Sequence, residues 1–232
     1  PADLIDENGN LTAGRSVDDP EVVARFDRFL AWLVPLLGDY DTWGLAIANE
    51  SSTVFEQYSR ESIAEFLRGG LRQVSMLDED LAATVTFGGD TTEGSPVRAF
   101  VRDLAPDMDL VSFNFYCLDS SSLITTDAPR WQSDIDTLID WADGLPIFFQ
   151  ELGCPAGWAD TGEETAGREE MINASPAKQS EFFRFMMRQL EERGELRAAT
   201  IFQLYDWSPG LIDFFIDTLP IGEAASAQLT IQ

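Results

Sequence analysis

Two apolar runs decide the fold of this chain: WGLAIANE at residues 43–50 and PIFFQELG at residues 146–153. Each is a block of apolar residues and not an in-out alternation, and each leads directly into a glutamate, Glu50 or Glu151. Such runs are typical of strands that are buried on both faces of a sheet. We therefore predict two buried strands, each of which delivers a carboxylate at its end.

Outward from these runs, apolar segments alternate with amphipathic ones. The predicted strands cover residues 42–49, 82–87, 110–116, 146–150 and 199–204. The predicted helices cover residues 20–37, 59–77, 96–104, 133–141 (capped by Ser133) and 175–193. Helices between buried strands indicate a parallel sheet covered by helices, and no repeat or linker divides the chain. We expect an α/β fold in one catalytic domain over residues 1–232.

Polar side chains follow each predicted strand where it ends. They are Asn49-Glu50, Asp90, Asn114 with Tyr116, Gln150-Glu151, and Tyr205-Asp206-Trp207. In a parallel α/β barrel the carboxyl ends of the strands open on one face, where active sites are built. A retaining glycosidase needs two carboxyl groups there: one protonates the leaving oxygen, and the other, about 5 Å away, attacks the anomeric carbon.

The two runs resemble the 4/7 superfamily (clan A) of retaining glycoside hydrolases. WGLAIANE is similar to the fourth strand of that family, where the acid/base glutamate follows an asparagine. PIFFQELG is similar to the seventh strand, where the nucleophile stands in a Glu-x-Gly context. The resemblance implies a (β/α)8 TIM barrel, of which this chain holds roughly strands 4 to 8. We expect that the chain lacks an N-terminal part. The alternatives are that a second polypeptide segment completes the barrel or that the barrel is open.

The resemblance also implies roles for single residues. Glu50 is the general acid and then the general base, and Glu151 is the nucleophile that forms a covalent glycosyl-enzyme. Asn49 resembles the asparagine that hydrogen-bonds the sugar 2-hydroxyl, and Tyr116 stands where the family often has a tyrosine against the nucleophile. Trp207, after the last predicted strand, is the candidate platform for a sugar ring.

Further candidates rest on weaker signals, and each assignment has an alternative. Asn114 is a candidate substrate hydrogen-bonder, and Trp131 and Trp158 are candidate stacking residues in loops. The alternatives are that Glu50 begins an ordinary capped helix, that Tyr116 is a core tyrosine and that Trp207 packs in the interior.

The expected function is hydrolysis of a β-linked poly- or oligosaccharide with retention of configuration. One alternative is a non-catalytic carbohydrate-binding or structural barrel derived from the same family. Another is a carboxylate-based enzyme of a different barrel family, because a fold alone does not fix a function.

Composition narrows the chemistry and the partners. The chain contains no histidine, which removes the commonest zinc ligand and the usual general base, so we expect no metal and no cofactor. The net charge of −26 disfavours nucleic acid and anionic membranes, and a carbohydrate substrate is the expected partner. An acid-rich surface also suits a high-salt environment, although simple solubility explains it equally well.

Two cysteines, Cys117 and Cys154, follow neighbouring predicted strands. They could meet in a disulfide if their Cα atoms lie within about 7 Å and the compartment is oxidising. We favour the bridge and a secreted protein, with two free thiols as the alternative.

Overall fold

The computed structural model describes residues 15–50, 58–89, 91, 95–118, 124–156 and 175–202. In this part of the chain, helices and strands alternate. The elements are α1 (Pro20–Leu37), β1 (Gly44–Ala46), α2 (Arg60–Leu77), β2 (Ala82–Thr84), β3 (Thr86–Gly88), α3 (Pro96–Leu104), β4 (Val111–Tyr116), α4 (Ala128–Ala142), β5 (Ile147–Gly153), α5 (Pro176–Glu192) and β6 (Leu196–Ile201).

The described strands form two sheets. β1 and β2 pair in parallel, with Gly44 opposite Ala82. The second sheet has the order β3-β4-β5-β6, and β3 pairs in parallel with β4, with Phe87 opposite Phe113. The predicted α/β class with parallel strands is therefore confirmed. These strands do not close a barrel within the described residues, so the eight-stranded barrel stays a prediction.

The strand predicted at residues 82–87 is divided between the two sheets. Its first half, β2, pairs with β1, and its second half, β3, pairs with β4. The amide of Thr86 still donates to the carbonyl of Ala48 at 2.9 Å, so backbone pairing with the first run continues beyond β1. The single predicted strand therefore becomes two because the segment changes partner at Val85.

Helix boundaries follow the capping residues. The side chains of Asp19, Ser59, Ser95 and Ser175 each accept a hydrogen bond from a backbone N–H of the first turn that follows. These caps satisfy N–H groups that have no partner inside the helix. The predicted bounds of α1 and α3 are confirmed, and those of α2 and α5 agree within one residue at each end.

The predicted start of α4 at Ser133 is wrong. The helix begins at Ala128, and Ser133 lies inside it. The side chain of Asp127 accepts from the backbone N–H of Arg130 at 3.3 Å, and Pro129 stands in the first turn, where its missing N–H costs nothing. The Asp-x-Pro signal was therefore the true start of the helix.

Three further strands differ from prediction by more than one residue at one or both ends. β1 has three residues where eight were expected. β5 continues to Gly153, so Glu151 lies within the strand and not after it. β6 begins at Leu196, three residues earlier than predicted, and residues 203–204 lie outside the described part.

The chain divides into two compact units. The first comprises Pro1–Asn114 and Asp136–Phe149, and the second comprises Phe115–Ile135 and Gln150–Gln232. In the first unit, Phe87 lies edge-on to Phe100 with ring centroids 5.7 Å apart, and both rings are fully buried. In the second unit, the buried ring of Phe182 contacts Trp131 at 5.2 Å and Phe115 at 6.0 Å. Each unit thus has an aromatic core of its own.

Candidate active site

Glu50 stands a few residues beyond β1 in an unusual backbone conformation. Its φ angle is 48°, in the left-handed region that non-glycine residues rarely adopt. Such a conformation costs of the order of 1–3 kcal/mol and tends to occur at functional sites. The side chain is partly buried. The chain therefore places this carboxylate at a cost that an ordinary strand-to-loop connection does not require.

The carboxylate of Glu50 is held by Asn114 of β4. The Nδ2 atom of Asn114 donates to Oε1 of Glu50 at 2.9 Å and to Oδ1 of Asn49 at 3.1 Å. Asn114 is 2% exposed, so this amide is fixed within the first unit. One buried side chain therefore orients both members of the Asn49-Glu50 pair.

Glu151 has a different hydrogen-bond partner, in the second unit. The hydroxyl of Tyr116, the last residue of β4, donates to Oε2 of Glu151. Both side chains are partly buried. The hydrogen bond expected from Tyr116 is therefore present. Glu50 belongs to the first unit and Glu151 to the second, and the separation of their carboxyl groups stays a prediction.

The ring of Tyr116 lies directly against Gly153. A β-carbon at Gly153 would be 2.6 Å from Cε1 and 2.8 Å from Cδ1 of the ring, much closer than van der Waals contact. Phe202, just beyond β6, meets the same ring edge-on, with centroids 6.2 Å apart and an interplanar angle of 88°. The glycine of the Glu-x-Gly motif is therefore what allows the tyrosine to reach the glutamate.

Cys117 and Cys154 form a disulfide, with Cα atoms 5.2 Å apart. The predicted bridge is confirmed. Both residues are buried, at 0% and 4% exposure. The amide of Cys117 also donates to the carbonyl of Gly153 at 3.2 Å, so the ends of β4 and β5 are joined by a hydrogen bond and a covalent link.

The other predicted residues have different outcomes. Trp131 is not a loop residue for stacking on sugar: it lies in α4 at 1% exposure and packs on Phe182, so that prediction is wrong. The apolar periodicity of the helix buries it. Trp207, Trp158, Asp90, Tyr205 and Asp206 lie outside the described residues.

Sequence reasoning missed the contact between Asn114 and Glu50 and the packing of Tyr116 on Gly153. One signal was available for the first. Asn114 and Tyr116 are two residues apart on a strand, and such residues project from the same face. No sequence signal indicates the second contact, because Glu-x-Gly does not reveal which ring approaches the glycine.

The described residues offer no group of three or more His, Cys, Asp or Glu side chains that could hold a metal ion. Hydrogen bonds from Ser16 and then Ser62 lower the pKa of the Asp18 carboxyl. That residue precedes α1 and links it to the start of α2. None of the described helices is both long and apolar enough to cross a membrane.

No family model and no curated protein matches this chain. Solved structures do. One is the β-glucuronidase of Bacteroides uniformis, with TM-score 0.59 and 15% identity, covering 83% of this chain and 23% of that chain. Another is β-glucuronidase 2 of the same organism, covalently bound to cyclophellitol-6-carboxylate aziridine, with TM-score 0.58, 15% identity and coverages of 83% and 23%. A third is a glucosidase from Croceicoccus marinus, with TM-score 0.53, 12% identity and coverages of 78% and 38%.

These similarities show that the chain shares a fold with part of several glycoside hydrolases. The chain spans well under half the length of each of these proteins. At such low identity the likeness concerns the fold alone.

Proposed function

We propose that this chain is the catalytic part of a retaining (β/α)8-barrel glycoside hydrolase of the 4/7 superfamily, with Glu50 as acid/base and Glu151 as nucleophile. One observation carries the proposal: each glutamate accepts a hydrogen bond from a polar side chain of β4, Glu50 from Asn114 and Glu151 from Tyr116. The fold shared with glycosidases supports it. The two carboxyl groups are expected to lie about 5 Å apart in one cleft.

In the first step, the carboxylic acid of Glu50 protonates the glycosidic oxygen while an oxygen of Glu151 attacks the anomeric carbon. The bond to the leaving group breaks, and a covalent ester between the sugar and Glu151 forms. Tyr116 holds one oxygen of Glu151, which leaves the other oriented for attack. Fixed orientation of this kind is a large part of enzymatic rate enhancement.

In the second step, the carboxylate of Glu50 takes a proton from water, and the resulting hydroxide attacks the anomeric carbon. The ester bond breaks and Glu151 returns as a carboxylate. The amide of Asn114 donates to Oε1 of Glu50 and so holds this carboxylate in a fixed orientation for the step. The sugar leaves with its original anomeric configuration.

Asn49 and Trp207 complete the proposed sugar site. Asn49 is exposed and follows the same strand as Glu50, which suits a hydrogen bond to the sugar 2-hydroxyl. The indole of Trp207 is proposed to stack on the apolar face of the ring. The substrate is proposed to be a β-linked poly- or oligosaccharide.

We further propose that βα units outside this chain, on the same polypeptide or on a second one, complete the barrel. In the described part, β1 pairs with β2 alone. Phe29 and Trp32 of the neighbouring helix α1 are 48% and 62% exposed. An open strand edge and exposed aromatic side chains each promote aggregation unless something covers them.

Replacement of each glutamate tests the proposed roles. Glu151→Gln should abolish turnover, because the nucleophile is lost. Glu50→Ala should lower kcat about 10²- to 10⁴-fold on substrates with poor leaving groups, since that is the usual contribution of a general acid. The same variant should spare activated aryl glycosides, and azide should partly restore its rate by replacing water.

The measurements are kcat and KM on a series of aryl β-glycosides with the full-length protein. Glu195→Gln is the matched control, because Glu195 is an exposed glutamate before β6. Normal turnover by both Glu50→Ala and Glu151→Gln would rule out the proposed roles and favour the non-catalytic alternative.

A further inference from the structure

We propose that the Cys117–Cys154 disulfide and Gly153 together form a clamp that positions the hydroxyl of Tyr116 on Glu151. The clamp is defined as these three residues. This inference rests on the proposed role of Glu151 as nucleophile. The disulfide would then position a side chain for the reaction in addition to stabilising the fold.

The order of residues along β4 and β5 places the disulfide close to both Tyr116 and Glu151. Tyr116 is followed directly by Cys117, and Glu151 is followed by Leu152, Gly153 and Cys154. The disulfide therefore joins the backbone next to the tyrosine to the backbone three residues after the glutamate. Strand ends open locally more easily than strand centres. A covalent link here opposes the motion that would separate these two side chains.

The ring of Tyr116 is packed closely between Gly153 and Phe202. Gly153 leaves no room for a β-carbon beneath the ring, whose nearest atoms would be 2.6 and 2.8 Å away. Phe202 meets the ring edge-on. The hydroxyl of Tyr116 consequently has little lateral freedom as long as Gly153 stays beside the ring. The hydrogen bond from the amide of Cys117 to the carbonyl of Gly153 depends on the same spacing.

The clamp is also bound to helix α5. The side-chain amide of Gln179, in α5, donates to the carbonyl of Cys154 at 2.8 Å. Both sulfurs lie in the buried interior of the second unit. The clamp is thus tied to a capped helix as well as to the two strands.

The consequence for the reaction is one of orientation. A displacement of about 1 Å in a reacting group can cost about 100-fold in rate. Loss of the clamp should therefore lower kcat by about 10- to 100-fold and change KM little, because the sugar site itself is not removed.

The experiment is a double-mutant cycle in the full-length oxidised protein. Cys117→Ala with Cys154→Ala removes the bridge without leaving a thiol, and Tyr116→Phe removes the hydroxyl. If the clamp acts through the tyrosine, both changes together should cost no more in kcat than Tyr116→Phe alone. If the disulfide has only a structural role, the fold-losses in kcat of the two changes should multiply, as they do for independent sites. That result would overturn the proposal.

A stability control and a second variant complete the test. Val74→Ala, in the buried core of α2 in the first unit, lowers stability without touching either glutamate and should leave kcat unchanged. If the double alanine variant does not fold, Gly153→Ala serves in the same cycle, because it keeps the bridge and displaces the ring. A wild-type kcat for Gly153→Ala would contradict the proposal. Inactivity of Glu151→Gln, measured in parallel, shows separately that the proposed function holds.

Discussion

Asn114 makes contacts that its place at the end of a predicted strand did not suggest. The sequence makes Asn114 a candidate substrate hydrogen-bonder, and that role stays a prediction. In the structure its buried amide donates to Asn49 and Glu50. Hydrogen bonds to a charged group contribute about 1.5–3 kcal/mol. Such an amide can orient the acid/base carboxylate through both steps of the proposed reaction.

We predict that Asn114→Leu lowers kcat about 10- to 100-fold on poor leaving groups and much less on activated ones, because the loss falls on proton transfer. Asn114→Gln, which keeps an amide donor, should retain more activity. Thr86→Val is the matched control, since it removes a buried 2.9 Å hydrogen bond to Ser112 in the same sheet. Equal losses on all leaving groups would argue against this role.

At the scale of single residues, the sequence predicted one contact of the candidate site, and other features were not predicted. The resemblance to the 4/7 superfamily implied that Tyr116 contacts Glu151, and that contact is present. The left-handed conformation of Glu50 could not be predicted, because nothing local favours it in a residue with a β-carbon. Trp131 was misplaced because an unrecognised helix start made its segment look like a loop.

Among the secondary-structure elements, α2 contains two adjacent glycines in different surroundings. A side chain added at one would affect only helix propensity, whereas a side chain added at the other would also affect packing. Gly69 is exposed, and a β-carbon there would meet nothing within 4 Å. At Gly70 a β-carbon would lie 2.7 Å from Cε1 of Phe26 in α1 and 2.9 Å from Cδ1 of Ile47. α1 can pack closely on α2 because position 70 has no side chain.

We predict that Gly69→Ala raises the free energy of unfolding by about 0.5–1 kcal/mol, because glycine is a poor helix former. Gly70→Ala should lower it by about 1–3 kcal/mol, because overpacking outweighs the same gain in propensity. Denaturant unfolding of the two variants beside wild type measures both values. A stabilising Gly70→Ala would mean that Phe26 moves aside without cost.

Helices were predicted more accurately than strands, for a physical reason. A cap is a local signal, and an Asp or Ser side chain accepts a hydrogen bond from the first turn of each of the five described helices. Strand ends depend on partners that are distant in sequence. The split at Val85 and the extension of β5 to Gly153 follow from pairing, which no local pattern encodes.

For the molecule as a whole, the sequence predicted the α/β class and the parallel strands, because buried runs separated by helices leave few other arrangements. It did not fix the number of strands that finally surround the site. Closure of a barrel depends on strands that pair with β1, and pairing partners are a property of the assembled protein. The completed barrel therefore stays a proposal.

Glu151 is proposed to form a covalent bond to the sugar, and chemical trapping of that bond tests the proposed mechanism. The full-length protein is treated with cyclophellitol aziridines of glucose and of glucuronic acid configuration, digested and mapped by tandem mass spectrometry. We expect one adduct, on Glu151, that is absent from Glu151→Gln. An adduct on another carboxylate would contradict this mechanism. So would hydrolysis without any adduct that gives products of inverted anomeric configuration.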